Sequence, residues 1–239
     1  VNVFSKDSNI QLVIKSSSVN QSLNDIIISS NGVCVRIQRI KPSTAAGSDG
    51  IQARFLKEFA PELSPALTII FQASLEQSSI PTEWSHAYVT PIYKSGKTDR
   101  GNPENYRPVS LTSIVCKTME HILYSNIINH LDENNILTDM QHGFRKNHSC
   151  ESQLLLSVND FAINMNNGEQ IDSILLDFSK AFDKVNHRKL CQKLHHYGIR
   201  GKNLNWIKCF LMNRTQQVVL NGKKTPIAPV TSGVPQGTA

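Results

Sequence analysis

The sequence predicts an α+β fold, with helical and strand patterns following one another along a chain of 239 residues. Apolar residues recur at helical spacing in residues 114–131 and 150–165, which indicates two long amphipathic helices. Apolar runs at residues 86–93 and 171–178 are typical of strands. An Asn221-Gly222 pair between two further strand-like runs favours a hairpin with a tight type I′ turn. A hydrophobic content of 39% is enough for one large domain or two lobes.

The N-terminal part of the chain carries the weakest pattern. Residues 1–40 contain Ser and Asn runs between short apolar patches, which predicts an N-terminal linker segment ahead of a folded domain at residues 41–239. The domain opens with KPSTAAGSDGI, where Ser48 or Asp49 is predicted to cap a helix that continues through Phe59.

A second helix is predicted to begin with Ser64 as its N-cap and Pro65 at its first position. It should stop before the Ile80-Pro81 pair, because proline removes a backbone donor. Both of these helices are interpreted as scaffold.

Two cations mark the ends of a polar loop that follows the strand at residues 86–93. Lys94 and Arg107 could clamp a triphosphate, Arg107 through a bidentate contact and Lys94 as a point charge. The alternative is an ordinary exposed loop. After it, Ser110 or Ser113 is predicted to cap the long helix that ends near Leu131.

A second loop, residues 141–147, contains Phe144, Arg145 and Lys146. Arg145 and Lys146 could contact a nucleic-acid backbone while Phe144 shapes a stacking corner. Equally, Phe144 could be a core anchor and Arg145 a solvated side chain. The helix that follows is predicted to end at Gly168 as a C-cap.

The run LLDFSKAFDKV places a carboxylate, Asp177, at the end of the predicted strand at residues 171–178. Hard divalent cations take carboxylate oxygens, so Asp177 suits the metal chemistry of phosphoryl transfer from a nucleoside triphosphate. Phe182, five residues later, could form an aromatic wall that excludes a ribose 2′-hydroxyl and favours deoxynucleotides. The plainer alternatives are that Asp177 caps a turn and that Phe182 is a core residue.

The loop SGVPQGT, residues 232–238, follows the predicted hairpin. Gly233 and Gly237 permit a close approach of the backbone, and Gln236 offers an amide between them. Such a loop could form the floor of a nucleotide pocket, although a loop of this composition by itself is commonly only a turn.

Taken together and in this order, these blocks resemble the reverse transcriptases of non-LTR (LINE-type) retrotransposons over about residues 40–239. The resemblance also includes WSHAYVTPIYKSGKTDRGNPENYRPVSLTSIVCKTME, QHGFRKNHSCESQLL and GIRGKNLNWIKCFLMNRTQQV. It implies a right-hand polymerase fold with fingers and a partial palm, and an RNA-directed DNA polymerase that transfers nucleotides from dNTPs through two metals, with Mg²⁺ as cofactor and Mn²⁺ possible. The implied partners are an RNA template and a DNA primer or target.

The resemblance also implies roles for individual residues. Asp177 would be the catalytic metal ligand, joined by the backbone carbonyl of Phe178. The nucleotide-binding residues would be Lys94, Arg107, Phe182, Gln236 and Gly237. The nucleic-acid-binding residues would be Arg145, Lys146, Lys180, Arg188 and Lys189.

One part of the family pattern is absent from the chain, because the paired aspartates expected downstream of SGVPQGT do not occur before Ala239. Asp183 is a poor substitute, because a predicted helix start separates it from the strand. Asp172 is also a poor substitute, because it lies five residues from Asp177 and an odd offset puts it on the other face of the strand. We therefore expect a truncated polymerase without its thumb, inactive by itself. The alternative is a non-catalytic nucleic-acid-binding remnant of a decayed element.

The net charge of +6 is unevenly distributed. Between Lys180 and Lys224 there are eleven Lys or Arg residues and one acid, Asp183, which predicts a phosphate-facing surface. A solvated basic face is the alternative.

Five widely spaced cysteines indicate reduced thiols. His187, Cys191 and His195 share one helix face, but a structural zinc needs a fourth ligand and none is evident nearby. No apolar run approaches the roughly eighteen residues of a membrane helix, and the N-terminus lacks a signal-peptide pattern. We expect an intracellular protein of the cytoplasm and nucleus.

Overall fold

The computed structural model describes residues 21–235, which form two compact units. One unit contains the described residues up to 130 together with residues 180–235, and the other contains residues 131–179. The helices are α1 (Ser30–Gln38), α2 (Ala53–Glu58), α3 (Ala60–Gln77), α4 (Thr82–Ser85), α5 (Ile114–Glu133), α6 (Cys150–Asn166), α7 (His187–His196) and α8 (Gly201–Leu211). The strands are β1 (His86–Tyr93), β2 (Tyr106–Leu111), β3 (Thr215–Leu220), β4 (Lys223–Lys224) and β5 (Ala228–Pro229).

The sheet belongs to the first unit and has β1 at its centre. Antiparallel β2 lies on one side of β1 and parallel β3 on the other, while β4 and β5 both pair with β3. The parallel pairing of β1 with β3 joins segments more than a hundred residues apart, with His86 opposite Thr215. The sheet therefore brings the polar loop after β1 and the C-terminal hairpin onto one scaffold.

The hydrophobic core lies among α1, α3, α5 and α8. Val33, Phe71 and Met119 have no exposed surface, and each comes from a different one of these helices. Trp206 of α8 is 2% exposed and donates its indole proton to Ser74 Oγ at 2.9 Å, so its polar edge is satisfied inside the core. Part of the predicted linker segment, α1, also packs in this core, and the predicted boundary after residue 40 stays a prediction.

Several predicted elements are confirmed. β1 covers the predicted residues 86–93, and α5 begins after Ser113, whose hydroxyl accepts a hydrogen bond from Cys116 N at 3.2 Å. α6 ends one residue before Asn167, and Gly168 follows with φ of +74° and an amide bonded to Met165 O, as a C-terminal glycine cap requires. The β3–β4 hairpin turns at Asn221 and Gly222, both with positive φ, as a type I′ turn requires.

The predicted starts of the first two core helices are wrong. α2 begins at Ala53, because the Asp49 carboxylate accepts from Ile51 N in a local turn and the Ser48 hydroxyl donates to His86 O. α3 already begins at Ala60, so Pro65 lies inside the helix and the Ser64 hydroxyl donates to Ala60 O instead of capping. The signal at Ser64-Pro65 was misleading because Pro61 already stands in the first turn.

The predicted strand at residues 171–178 is also wrong in this structure. Residues 169–178 have no regular secondary structure, and Leu175, Leu176 and Phe178 are between 82% and 90% exposed. A strand needs a partner to satisfy its backbone groups, and none of the strands in residues 21–235 pairs with this segment. Because residues 171–178 do not form a strand, Asp172 and Asp177 do not lie on opposite faces of one.

The second unit consists of the end of α5, the loop before α6, α6 itself and the extended segment after it. Within α6 no residue is buried. Its N-terminus is held by a capping box, in which Ser149 and Ser152 each accept from the backbone of the other. In the described residues no helix is long and apolar enough to cross a membrane.

Candidate nucleotide site

Two segments that are almost fifty residues apart meet in the first unit, and we call their contact the loop joint. It joins residues 182–187 to residues 232–235. Gly233 N donates to Val185 O at 2.8 Å, and Val234 N donates to Phe182 O at 3.0 Å. The Ser232 hydroxyl donates to Asp183 O at 2.7 Å. The start of the SGVPQGT loop is therefore fixed against the segment that carries Phe182.

Gly233 is the residue that allows this close approach. Its φ is +86°, and a Cβ at this position would lie 2.8 Å from Asp183 Cα, Asp183 O and Phe182 O. Any side chain here would collide with backbone atoms that cannot easily move. The sequence-based prediction that Gly233 permits close backbone approach is confirmed.

A small cavity of about 60 Å³ lies beside the loop joint. It is lined by Pro108 and Ser110 of β2, by Gln216 of β3 and by residues of the loop joint. Arg214 also lines the cavity. The space is large enough for a few waters, and its walls carry both polar and apolar groups.

Arg214 is buried, so its inclusion in the predicted phosphate-facing surface was wrong. The residue is 5% exposed, its guanidinium lies 5.1 Å from the centre of the Phe210 ring, and its Nε has no hydrogen-bond partner among the described residues. Burial lowers the pKa of Arg214, and the nearby Glu120 carboxylate opposes that shift. A buried cation destabilises the folded chain unless an anion lies close to it.

Glu120 and Cys116, both on α5, complete this buried polar cluster. Burial raises the pKa of the Glu120 carboxyl, and the charge of Arg214 partly offsets the shift. Burial also raises the pKa of the Cys116 thiol well above its usual value, with the neighbouring Glu120 acting in the same direction. Cys116 is therefore a neutral thiol at physiological pH, and it is a free cysteine, in agreement with the interpretation of the cysteines as reduced thiols.

Lys94 and Arg107 lie at the end of the β1–β2 hairpin where the connecting loop begins and ends. Arg107 pairs with Ile92, and the Lys94 amide continues the ladder by donating to Asn105 O at 2.9 Å. Residues directly opposite each other in an antiparallel pair point to the same face of the sheet, as do residues two apart in one strand. Lys94 is two residues after Ile92, the partner of Arg107, so Lys94 and Arg107 lie diagonally on one face. The Lys94 ammonium donates to Glu104 O at 2.7 Å, and Arg107 is exposed.

Asp177 and Phe178 lie in the extended part of the second unit, and both side chains are exposed. Phe182 belongs to the first unit and is 42% exposed, which does not fit the alternative of a fully buried core residue. Among the described residues no group of three or more His, Cys, Asp or Glu side chains could hold a metal ion.

The loop at residues 141–147 is confirmed as irregular, and it decides between the two interpretations of Phe144. This side chain is 78% exposed, so it is not a core anchor. Arg145 is not simply solvated, because its guanidinium lies 3.4 Å from an Asp132 carboxylate oxygen and also donates to Thr138 O. Lys146 is exposed.

Three further predicted nucleic-acid contacts lie around the loop joint. Lys180 and Arg188 are exposed, and Lys189 is half-buried in the first turn of α7. The predicted nucleotide-binding residues Gln236 and Gly237 lie outside the described residues.

A larger cavity, of about 660 Å³, lies between α7 and α8. His187, Cys191 and His195 all line it from one face of α7, as the sequence spacing predicts. The opposite wall includes Leu204 and Lys208 of α8.

Two features of the first unit were missed by sequence reasoning. The His187 ring lies with Nε2 2.7 Å from Gly233 O, and the charge of Glu120 acts on the buried Arg214. Both features involve residues more than forty positions apart, so no local spacing signals them. The sequence did place His187 on one helix face with Cys191 and His195, but it gave no signal for the bond to Gly233.

The sequence model of the family described as reverse transcriptase (RNA-dependent DNA polymerase) matches residues 92–239. This range contains the β1–β2 loop, the Asp177 segment and the loop joint, and the mixed helix and sheet content is consistent with such a domain. The chain belongs to the reverse transcriptase family.

Comparison with individual proteins places the resemblance among mobile elements. The chain is 31% identical over 202 residues to the RNA-directed DNA polymerase from mobile element jockey of Drosophila melanogaster, an alignment of 84% of this chain and 22% of that protein. It is 28% identical over 202 residues, with the same coverages, to the probable RNA-directed DNA polymerase from transposon X-element of Drosophila melanogaster. It is 27% identical over 198 residues to the retrovirus-related Pol polyprotein from type-1 retrotransposable element R2 of Popillia japonica, covering 82% and 26% of the two chains.

These matches confirm the resemblance to the reverse transcriptases of non-LTR retrotransposons. The chain spans about a quarter or less of the length of these curated relatives.

Proposed function

We propose that this chain is the fingers and partial palm of an RNA-directed DNA polymerase encoded by a non-LTR retrotransposon. One observation carries the proposal: within the matched range, the loop joint fixes the Phe182 segment and the SGVPQGT loop to each other by backbone hydrogen bonds. A polymerase must hold the sugar and the base of an incoming nucleotide in one fixed geometry, and preorganised neighbouring backbone segments achieve this without a cost at each turnover.

Phe182 is the proposed wall against the ribose 2′-hydroxyl, and Gln236 and Gly237 are the proposed contacts to the nucleotide. Lys94 and Arg107 are the proposed triphosphate ligands, which their common face at the loop end of the β1–β2 hairpin supports. A planar guanidinium and a mobile ammonium are complementary ligands for the oxygens of a triphosphate.

A divalent metal, Mg²⁺ or Mn²⁺, is the proposed cofactor. In a longer protein that contains this chain, Asp177 and the Phe178 carbonyl would provide two oxygen ligands for the metal. Further carboxylate ligands would have to come from residues outside the described range. Because the described residues do not form the complete site, we derive no reaction step from them.

The proposed partners are an RNA template and a DNA primer or target, contacted by Arg145, Lys146, Lys180, Arg188 and Lys189. The exposed positions of Lys146, Lys180 and Arg188 support this assignment. The division into a linker at residues 1–40 and a polymerase domain at residues 41–239, and a location in the cytoplasm and nucleus, are part of the same proposal.

The decisive test replaces Asp177 in the longer protein that contains this chain. Asp177→Ala should abolish DNA synthesis on a primed RNA template, because a metal-binding carboxylate is lost, while RNA binding stays nearly unchanged. The matched control is Asp172→Ala, which removes another exposed carboxylate five residues earlier in the same segment. Retained synthesis in Asp177→Ala, or equal loss in Asp172→Ala, would refute the role of Asp177.

The second candidate function is nucleic-acid binding without catalysis, favoured by the lack of a complete metal site in the described residues. For the 239-residue chain alone we propose binding but no synthesis. Incorporation of labelled dNTP by the purified chain would contradict this.

A further inference from the structure

His187 is the first residue of α7, and its side chain is bonded to the SGVPQGT loop. Its Nε2 lies 2.7 Å from Gly233 O, and the ring is half-buried. A carbonyl oxygen can only accept, so the imidazole must carry its proton on Nε2 in this contact. This proton assignment holds for the neutral ring as well as for the cation.

Gly233 is consequently held at both of its backbone groups by one short segment. Its amide donates to Val185 O at 2.8 Å, and its carbonyl accepts from His187. Gly233 has a positive φ and packs tightly against the backbone of Asp183, since a Cβ here would lie 2.8 Å from Asp183 Cα. The direction in which the chain leaves Gly233 toward Val234 is therefore held by these contacts.

The same segment also carries Phe182, whose carbonyl accepts from Val234 N at 3.0 Å. Val234 follows Gly233 directly, so a rotation of the Gly233 peptide would move the amide that Phe182 holds. The bond from His187 thus helps to hold the Gly233–Val234 peptide against the backbone of Phe182, the proposed aromatic wall.

We propose that His187 is a positioning residue that holds the SGVPQGT loop in register with Phe182 and so determines dNTP affinity and discrimination against ribonucleotides. The inference rests on the proposed polymerase function. Catalysis itself does not require His187, because its ring contacts the loop backbone and not a reacting atom.

Three variants of the longer protein separate positioning from general damage. His187→Phe keeps an aromatic ring and removes the donor. His187→Gln keeps an N–H donor at a similar reach. His195→Phe is the matched control, because it makes the same substitution at an exposed position two turns later on α7.

The kinetic readout is KM and kcat for dNTP on a primed RNA template, with the ratio of dNTP to rNTP incorporation. Loss of one hydrogen bond should raise KM about fivefold in His187→Phe, lower the dNTP to rNTP ratio and leave kcat within about twofold. His187→Gln should restore most of the affinity, and His195→Phe should match the parent. An unchanged KM and ratio in His187→Phe, or equal effects in His195→Phe, would overturn the inference.

A second readout is independent of catalysis. Hydrogen exchange at the amides of Gly233 and Val234 should accelerate about fivefold in His187→Phe of the 239-residue chain and not in His195→Phe. If exchange accelerates while the parent protein makes no DNA, the positioning contact stands and the proposed function fails. If exchange does not change, the positioning contact fails, whatever the activity.

Where His187→Phe does not fold, Ser232→Ala is the substitute variant. It removes another bond of the same joint, from the Ser232 hydroxyl to Asp183 O at 2.7 Å. The same rise in KM and in exchange is expected. Unchanged values in a folded Ser232→Ala protein would count against the joint as the element that sets affinity.

Discussion

At the scale of single residues, Phe182 shows how a contact changes the meaning of a sequence motif. The sequence left two interpretations, a core side chain or a wall beside the nucleotide. The ring is 42% exposed and its carbonyl is bonded to the SGVPQGT loop, which favours a side chain available to a ligand.

We predict that Phe182→Ala in the longer protein raises incorporation of ribonucleotides relative to deoxynucleotides by at least about tenfold, because removing the wall removes a steric clash. The measurement is single-nucleotide extension with matched dNTP and rNTP. Phe161→Ala is the control, since Phe161 is 41% exposed but lies on α6. An unchanged ratio in Phe182→Ala would show that another group selects the sugar.

Glu120 gives a second prediction at this scale. Burial raises the pKa of the Glu120 carboxyl in the folded chain. Between the usual carboxyl pKa and this raised pKa, the carboxyl is ionised in the unfolded chain but still protonated in the folded chain. The contribution of Glu120 to the free energy of unfolding is therefore full at acidic pH and declines as pH rises through the raised pKa.

In the parent protein the free energy of unfolding should fall by up to about 1.4 kcal/mol for each pH unit over this range. In Glu120→Gln, which has no carboxyl at this position, this fall should be absent. The measurement is chemical denaturation of the dilute 239-residue chain between mildly acidic and neutral pH. Parallel curves for the two proteins would mean that Arg214 keeps Glu120 ionised throughout.

At the scale of elements, the segment at residues 171–178 has the pattern of a strand and the conformation of an extended coil. The apolar side chains from Ile174 to Phe178 are between 82% and 90% exposed, with Leu176 at 89%. Unpaired backbone groups beside exposed apolar residues are a template for association with another chain.

We predict that the 239-residue chain aggregates through this segment and that Leu176→Lys raises its soluble fraction several-fold, since charge opposes edge pairing. Ile69→Lys is the matched control: Ile69 is 71% exposed, but on a helix whose backbone is already bonded. Light scattering at increasing protein concentration is the measurement. A parent chain that stays monomeric would disprove the prediction.

At the scale of the whole molecule, the basic stretch from Lys180 to Lys224 contributes fewer surface charges than the sequence count indicates. Arg214 is buried, and the Lys202 ammonium lies 3.4 Å from an Asp25 carboxylate oxygen. Other members, such as Lys180 and Lys208, are exposed at the surface, where phosphate contacts would form.

If about six phosphate contacts form, the logarithm of the binding constant for an RNA–DNA duplex should fall against the logarithm of salt concentration with a slope near −5. Replacing Arg188 and Lys189 together by Gln should flatten the slope by about two. The control replaces Lys41 and Arg54, which are exposed and lie outside the basic stretch. Fluorescence anisotropy across a salt series measures the slope for the parent and for each double variant. A slope near zero for the parent would contradict nucleic-acid binding.

The sequence by itself determined the features that depend on neighbouring residues. β1, α5 and the Asn221-Gly222 hairpin were predicted because periodicity, caps and turn chemistry act within a few positions. The family was also determined by sequence, since its motifs are short runs such as those around Asp177 and Gly233.

Only the tertiary structure decided which residues meet. The bond from His187 to Gly233, the burial of Arg214 against Glu120 and the exposure of Phe144 all depend on segments that are distant in the chain. The coil at residues 171–178 has the same cause, because a strand is stabilised by hydrogen bonds to a partner and its own residues cannot supply them.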